Sequence, residues 1–220
     1  MKLLLTSAGI SNTSIHHALV ELMGKPVADA NALFIPTAIY ALPEGATIAQ
    51  KVICGTLGDP FCDMGWQSLG ILELTALPGI QQSIWLNKLR EADALLVGGG
   101  DCQYLTYWMR QTGLADLLPS LLSKTVYVGL SAGSMVMTSF GTTYGHHTLP
   151  ADTPKSLGWF DFALHPHLDY EGFPDNAMDK LEQLAATLPM PSYAIDDQTA
   201  IKIDGDKLVV ISEGNWRLFS

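Results

Sequence analysis

Tyr127-Val128-Gly129-Leu130-Ser131-Ala132-Gly133-Ser134-Met135-Val136 is the stretch on which the reading of this chain turns. A short apolar run, a cluster of small residues and a second apolar run read as a buried strand, a tight turn and a helix, with one serine at the apex. A serine held there projects its hydroxyl at the carboxyl end of a sheet, and the amide of Ala132 points at the same spot, as in a nucleophile elbow of the Gly-x-Ser-x-Gly kind. Gly129 and Gly133 have a steric reason, since a strained turn leaves no room for side chains flanking the nucleophile. The same pattern also serves, without chemistry, to let a helix pack closely on a strand.

Outward from the turn, short apolar runs alternate with helical periodicity. Leu3 to Leu5, Ala32 to Ile35, Ile71 to Leu74 and Ala94 to Val97 read as buried strands, with Gly70 as a hinge before the third. Helices are expected from Ile15 to Met23, from Glu44 to Leu57, from Gln81 to Arg90, near Leu114 to Leu122 and from Phe173 to Leu188; Gly58-Asp59-Pro60 breaks the second. This alternation predicts a parallel sheet with crossovers on both faces, an α/β three-layer sandwich. Ser192 to Ile195, Ala200 to Ile203 and Leu208 to Ile211 form a strand-rich tail, and Gly205-Asp206 marks a C-terminal β-hairpin. Residues 1–220 are taken as one domain.

Only 15% of the residues are charged and the formal net charge is -10, which repels a phosphate backbone or an anionic membrane surface, so neither nucleic acid nor membrane is an expected partner. Cys54, Cys62 and Cys102 are odd in number and lack Cys-x-x-Cys spacing, which points to a reducing compartment. No run approaches the ~18 apolar residues of a membrane span, and a cytoplasmic protein is expected. Trp85, Trp108 and Trp159 serve either the core or a homodimer interface, the core being the commoner fate.

Gly98-Gly99-Gly100-Asp101-Cys102 follows the fourth strand, at the sheet end where ligands of open α/β proteins sit. Asp101 beside Cys102 opposes thiolate formation, which argues against a cysteine nucleophile. A serine nucleophile needs a base and a carboxylate to orient it. His167 comes after Ser131 on a segment, Trp159 to Asp169, expected to return as a strand beside the serine turn; if extended, His165 and His167 face one side.

Strand-Gly98-Gly99-Gly100-Asp101, Gly129-Leu130-Ser131-Ala132-Gly133-Ser134, Pro166-His167 and Ile195-Asp196-Asp197-Gln198-Thr199-Ala200 together resemble the peptidase E family of serine peptidases, which includes α-aspartyl dipeptidases and the related cyanophycinases. Thr6-Ser7 and Phe34-Ile35-Pro36-Thr37-Ala38 extend the resemblance over nearly the whole chain. It implies a class I glutamine amidotransferase-like (flavodoxin-like) fold and hydrolysis of short peptides, dipeptides among them, without metal or cofactor. Carried over by position, it makes Ser131 the nucleophile and His167 the base, puts the amides of Gly99 and Ala132 in an oxyanion hole, and lines the substrate site with Gly100 and Asp101. Where α-aspartyl dipeptidases carry the third triad member, Tyr144 to His147 offer no acid, so Asp152 is the candidate by order and proximity, with Asp161 and Asp169 as rivals. An arginine preceding that acid in the same enzymes also lacks a counterpart in Gly141 to Thr143, which puts aspartyl specificity in question.

Two other classes stay open on the residues alone. His146, His147, His165 and His167 with Asp152 or Asp169 are donor types suited to zinc, which would make a metallohydrolase. A chain that kept the fold and lost the triad would be a binding or regulatory protein.

Overall fold

Successive residues of each apolar run go to opposite faces of the sheet, and each face has its own helices. The computed structural model describes residues 1–57 and 61–220; the break expected at Gly58-Asp59-Pro60 lies outside them. Strands β1 (Lys2–Thr6), β2 (Asn31–Ile35), β3 (Ser68–Ile71), β4 (Ala94–Val97) and β5 (Val126–Leu130) lie parallel in the order β3-β2-β4-β5-β1. Leu3, Leu5, Leu33, Ile35, Leu95, Val97 and Tyr127 point to one side. They bury helices α3 (Gln82–Glu91), α4 (Cys102–Gln111) and α5 (Leu114–Leu121) through Trp85, Leu89, Leu105, Met109 and Leu118. Leu4, Phe34, Leu96, Val126 and Val128 point to the other side, against α1 (Thr13–Met23) and α2 (Gly45–Ile53), which contribute Ile15, Leu19, Leu22, Ala49 and Val52. Strands buried on both faces need no polar alternation, which is why they read as continuous apolar runs.

The predicted hairpin is β8 (Thr199–Asp204) and β9 (Lys207–Ser212), which extend the same sheet antiparallel beyond β1. Several local expectations change. Gly70 is inside β3 rather than a hinge before a strand, and Leu74 begins a 3-10 turn (Leu74–Gly79). The helix after Ser131, α6, is only Ala132–Met135, and the last helix, α7, is shortened to Met178–Ala185. The histidine segment does not return beside the serine turn in the main sheet. Its strand β6 (Ala163–His165) pairs parallel with β7 (Ser192–Ile195), which pairs antiparallel with β10 (Trp216–Phe219) in a second, three-stranded sheet. Trp85 is buried in the core and Trp108 and Trp159 pack against the same cluster. Among the described residues no helix is long and apolar enough to cross a membrane.

Candidate active site

The parallel strands end together, so Ser7 after β1, Pro36 to Ala38 after β2, Gly98 to Gly100 after β4 and Ser131 after β5 meet at one edge of the sheet. β1 fastens the serine turn: the Thr6 carbonyl accepts from the Ser131 amide at 3.1 Å and from Ser134 Oγ at 2.7 Å, while Thr6 Oγ1 donates to the Gly129 carbonyl at 2.6 Å. The buried Tyr127 hydroxyl donates to the Gly133 carbonyl at 2.6 Å. Ser131 itself has φ 51° and ψ -111°, a backbone conformation that costs a residue with a side chain about 1–3 kcal/mol. The flanking glycines are required by close approach. A methyl on Gly129 would lie 2.6 Å from the Gly133 carbonyl oxygen, and one on Gly133 would run into the Val97 carbonyl.

His167 is half-buried beside this turn, also at positive φ (59°), so it does not continue β6. His165 and His167 therefore do not share a face. His165 is buried against Phe140, and burial pushes its pKa down to about 4. The His167 ring stacks on Phe173 at 4.8 Å, and its Nδ1 donates to Asp197 Oδ1 at 2.7 Å. Ser7, fully buried, ties the group together: its Oγ donates to the same Asp197 oxygen at 2.6 Å and accepts from the His167 amide at 2.8 Å. Burial alone would raise the Asp197 pKa, but the hydrogen bonds from His167 and Ser7 outweigh it and hold the carboxylate below its ordinary range. An ionised Asp197 accepting at Nδ1 fixes the tautomer of a neutral His167 with its lone pair on Nε2.

The acid beside His167 is thus Asp197 and not the expected Asp152, which is exposed in a turn. Asp161 is exposed as well, and the exposed Asp169 accepts from the Met178 amide at 2.9 Å. Topology explains the correction. β6 and β7 run parallel with His165 opposite Ala194, so the residues that follow them, His167 and Asp197, leave at the same end. β8 starts beside the carboxyl end of β1, with Ala200 opposite Thr6, which sets Asp197 over Ser7. An Asp-Asp pair directly after a buried strand was the available sequence signal, whereas Ser7 gave none beyond its place at a strand end.

Asp101 is also corrected. It is fully buried and lines neither cavity described below. It caps α4 by accepting from the Tyr104 amide at 2.9 Å, and it accepts from Thr143 Oγ1 at 2.9 Å, the Tyr144 amide at 2.7 Å and His147 Nε2 at 3.0 Å. Those donors occupy the carboxylate and anchor the 143–147 loop, leaving nothing for a substrate. Burial raises the Cys102 pKa to about 12. The zinc arrangement is not assembled: His147 faces Asp101, His167 faces Asp197, and among the described residues no three His, Cys, Asp or Glu side chains converge.

Ser131 and His167 both line two adjoining cavities, of about 480 and about 210 Å³. Gly99 lines the smaller cavity, Ala132 the larger and Gly100 both, and the amides of all three have no acceptor among the described residues. A methyl on Gly99 would stand 3.3 Å from Ser131 Cβ, so the triple glycine brings its backbone up to the serine. No direct hydrogen bond joins Ser131 Oγ to His167 among the described residues; without substrate, such bonds are often long. Chemically, the edge offers a hydroxyl, an oriented imidazole and unpaired amides around one space.

The model of peptidase family S51 matches residues 3–211. Peptidase E of Streptomyces coelicolor is 28% identical over 225 residues, covering 96% of this chain and 85% of that protein. A Drosophila melanogaster protein named "Probable alpha-aspartyl dipeptidase" is 31% identical over 142 residues, 60% of this chain and 58% of its own. A crystal structure assigned to peptidase E from Listeria monocytogenes EGD-e superposes with a TM-score of 0.70 at 20% identity, covering 97% of this chain and 98% of that one. At that identity it speaks for the fold alone, the class I glutamine amidotransferase-like arrangement.

Proposed function

Since this chain belongs to peptidase family S51 and is a serine-type peptidase, we propose that it hydrolyses short peptides with Ser131 as nucleophile, His167 as general base and Asp197 as the acid that orients it. The observation that carries this reading is the chain of hydrogen bonds from Ser7 through Asp197 to His167, ending beside a serine on a strained turn. His167 Nε2 takes the Ser131 proton as Oγ attacks the peptide carbonyl. The Gly99 and Ala132 amides receive the developing oxyanion, each such donor being worth roughly 2.7–4 kcal/mol. His167 then gives the proton to the leaving amine, and water attacks the acyl-enzyme with His167 again as base. Gly100 lines the peptide site. No step calls on a metal or an organic cofactor. Residues 1–220 act as one catalytic domain. A cytoplasmic setting is supported by three free cysteines, and light scattering tests whether the chain forms a homodimer.

Reaction with a fluorophosphonate probe, located by peptide mapping, tests the assignment without presuming a substrate. Wild type should label at Ser131 and Ser131→Ala should not. The missing direct Ser131–His167 hydrogen bond is the one observation favouring a binding protein, and an unreactive Ser131 would decide for it. Whether substrates carry an N-terminal aspartate, as the name of the Drosophila relative says of that protein, depends on the cavity walls.

A further inference from the structure

The smaller cavity is walled by Ile39, Leu42, Ile48, Val52, Leu57 and Leu130, with the triple glycine closing it toward Ser131. Apart from Ser131 and His167, the one polar side chain lining it among the described residues is Tyr144, which is half exposed. No lysine or arginine lines either cavity among the described residues. The cation tied to a lining residue is Lys180, bound to Asp175 at 2.9 Å on the surface. Behind the lining, Asp197 lies against His167 and Asp101 anchors the 143–147 loop, both held ionised by their hydrogen bonds. A carboxylate entering the smaller cavity would therefore leave water and meet no lysine or arginine among the described residues. A neutral apolar side chain would lose nothing and bury its surface.

The cavity is also preformed. Its floor, Ile39, belongs to a 3-10 turn (Thr37–Ala41) pressed against the triple glycine: a methyl on Gly98 would stand 3.0 Å from Ile39 Cδ1, and one on Gly100 would run into the Ala38 carbonyl. Its volume, about 210 Å³, is far above the ~30 Å³ share of one water, so it is a side-chain pocket rather than a solvent site.

We infer that this cavity selects a neutral apolar side chain, of leucine, methionine or phenylalanine type, on one of the two residues joined by the scissile bond, and rejects aspartate and glutamate. The inference rests on Ser131 being the nucleophile and adds the substrate class. Ile39, Leu42, Ile48 and Val52 become the specificity-determining residues.

The test is kcat/KM on paired dipeptide series, X-Ala and Ala-X, with X as Leu, Met, Phe, Gly, Asp or Glu, read by mass spectrometry. In at least one series the Leu, Met and Phe members should exceed the Asp and Glu members by about tenfold or more. Equal or faster cleavage of the acidic members in both series overturns the inference. Each dipeptide is also scored for how far it slows fluorophosphonate labelling of Ser131. A protein that labels but cleaves no member is thereby still tested: apolar members must protect better than acidic ones, and if they do not, the preference is wrong. Failure of Ser131 to label at all would instead remove the nucleophile assignment beneath it. Ile48→Arg sets a cation on the partly exposed wall and should lower the leucine-to-aspartate ratio by about tenfold. A circular dichroism melt confirms that this variant is folded, and an unchanged ratio in folded protein counts against the cavity.

Discussion

Asp197→Asn isolates the charge beneath His167. The substitution keeps the side-chain shape and removes the negative charge that faces the imidazole across a 2.7 Å hydrogen bond. Once His167 holds the serine proton, the two charge centres are ~4 Å apart; at an effective dielectric near 20 their attraction is about 4 kcal/mol. At about 1.36 kcal/mol per decade that is a loss of roughly 10³ in turnover. The asparagine amide adds to it, because its NH₂ can donate to Nδ1 and push the proton to Nε2, the tautomer that cannot accept from Ser131; the combined loss reaches about 10⁴. The assay is kcat on the best dipeptide of the panel, with the fluorophosphonate labelling rate as a readout that needs no substrate. Both should fall while KM changes little, since Asp197 does not line either cavity. Asp152→Asn, an exposed substitution, should stay within about twofold of wild type. The reasoning is refuted if Asp197→Asn retains a tenth or more of wild-type kcat, or if Asp152→Asn is the variant that loses it.

Three further outcomes follow from the same geometry. Ser131→Gly relieves the backbone at φ 51° and should raise stability by ~1 kcal/mol, a rise of about 2–4 °C in Tm, while abolishing labelling; a melt at or below wild type would show that the turn is not strained. Gly133→Ala drives a methyl into the Val97 carbonyl and should cost about 3 kcal/mol or more in urea unfolding, whereas a near-neutral result would mean that α6 can move off β4 freely. For Asp101, burial raises the pKa but the hydrogen bonds from Tyr104, Tyr144, Thr143 and His147 lower it further, so the folded value lies below the ordinary 3.8. Its contribution to stability is complete above 3.8 and is lost as pH falls through the folded value. Asp101→Asn should therefore be less stable than wild type at pH 7 by ~1–3 kcal/mol, and the gap should close in acid; a gap independent of pH would exclude the carboxylate charge as its source.

Much of this molecule is legible in its sequence because the signals are local. Val126 to Leu130 and Ala94 to Val97 are strands with the expected limits, since runs buried on both faces leave little ambiguity. The small residues flanking Ser131 encode their own turn, as do the three glycines after β4. The expected hairpin formed where Gly205-Asp206 placed it. Asp101 was misread for a local reason too: an aspartate after a glycine run at the start of a helix fits a ligand contact and an N-cap equally, and only burial distinguishes them.

By itself, then, the sequence determined β1, β2, β4, β5 and the hairpin, the serine turn, the glycine cradle and the class of fold, all set by residues that interact within a few positions of one another. The tertiary structure alone decided which acid meets His167, what ties the two together and what walls the cavity. Asp152 was favoured by order along the chain. Asp197 holds the position because β6 and β7 run parallel and β8 returns antiparallel beside β1, which brings Ser7, His167 and Asp197 to one point from three distant segments. No local periodicity records a meeting of that kind; it exists once strands are paired in register, and one pairing carries the whole hydrogen-bonded group into place.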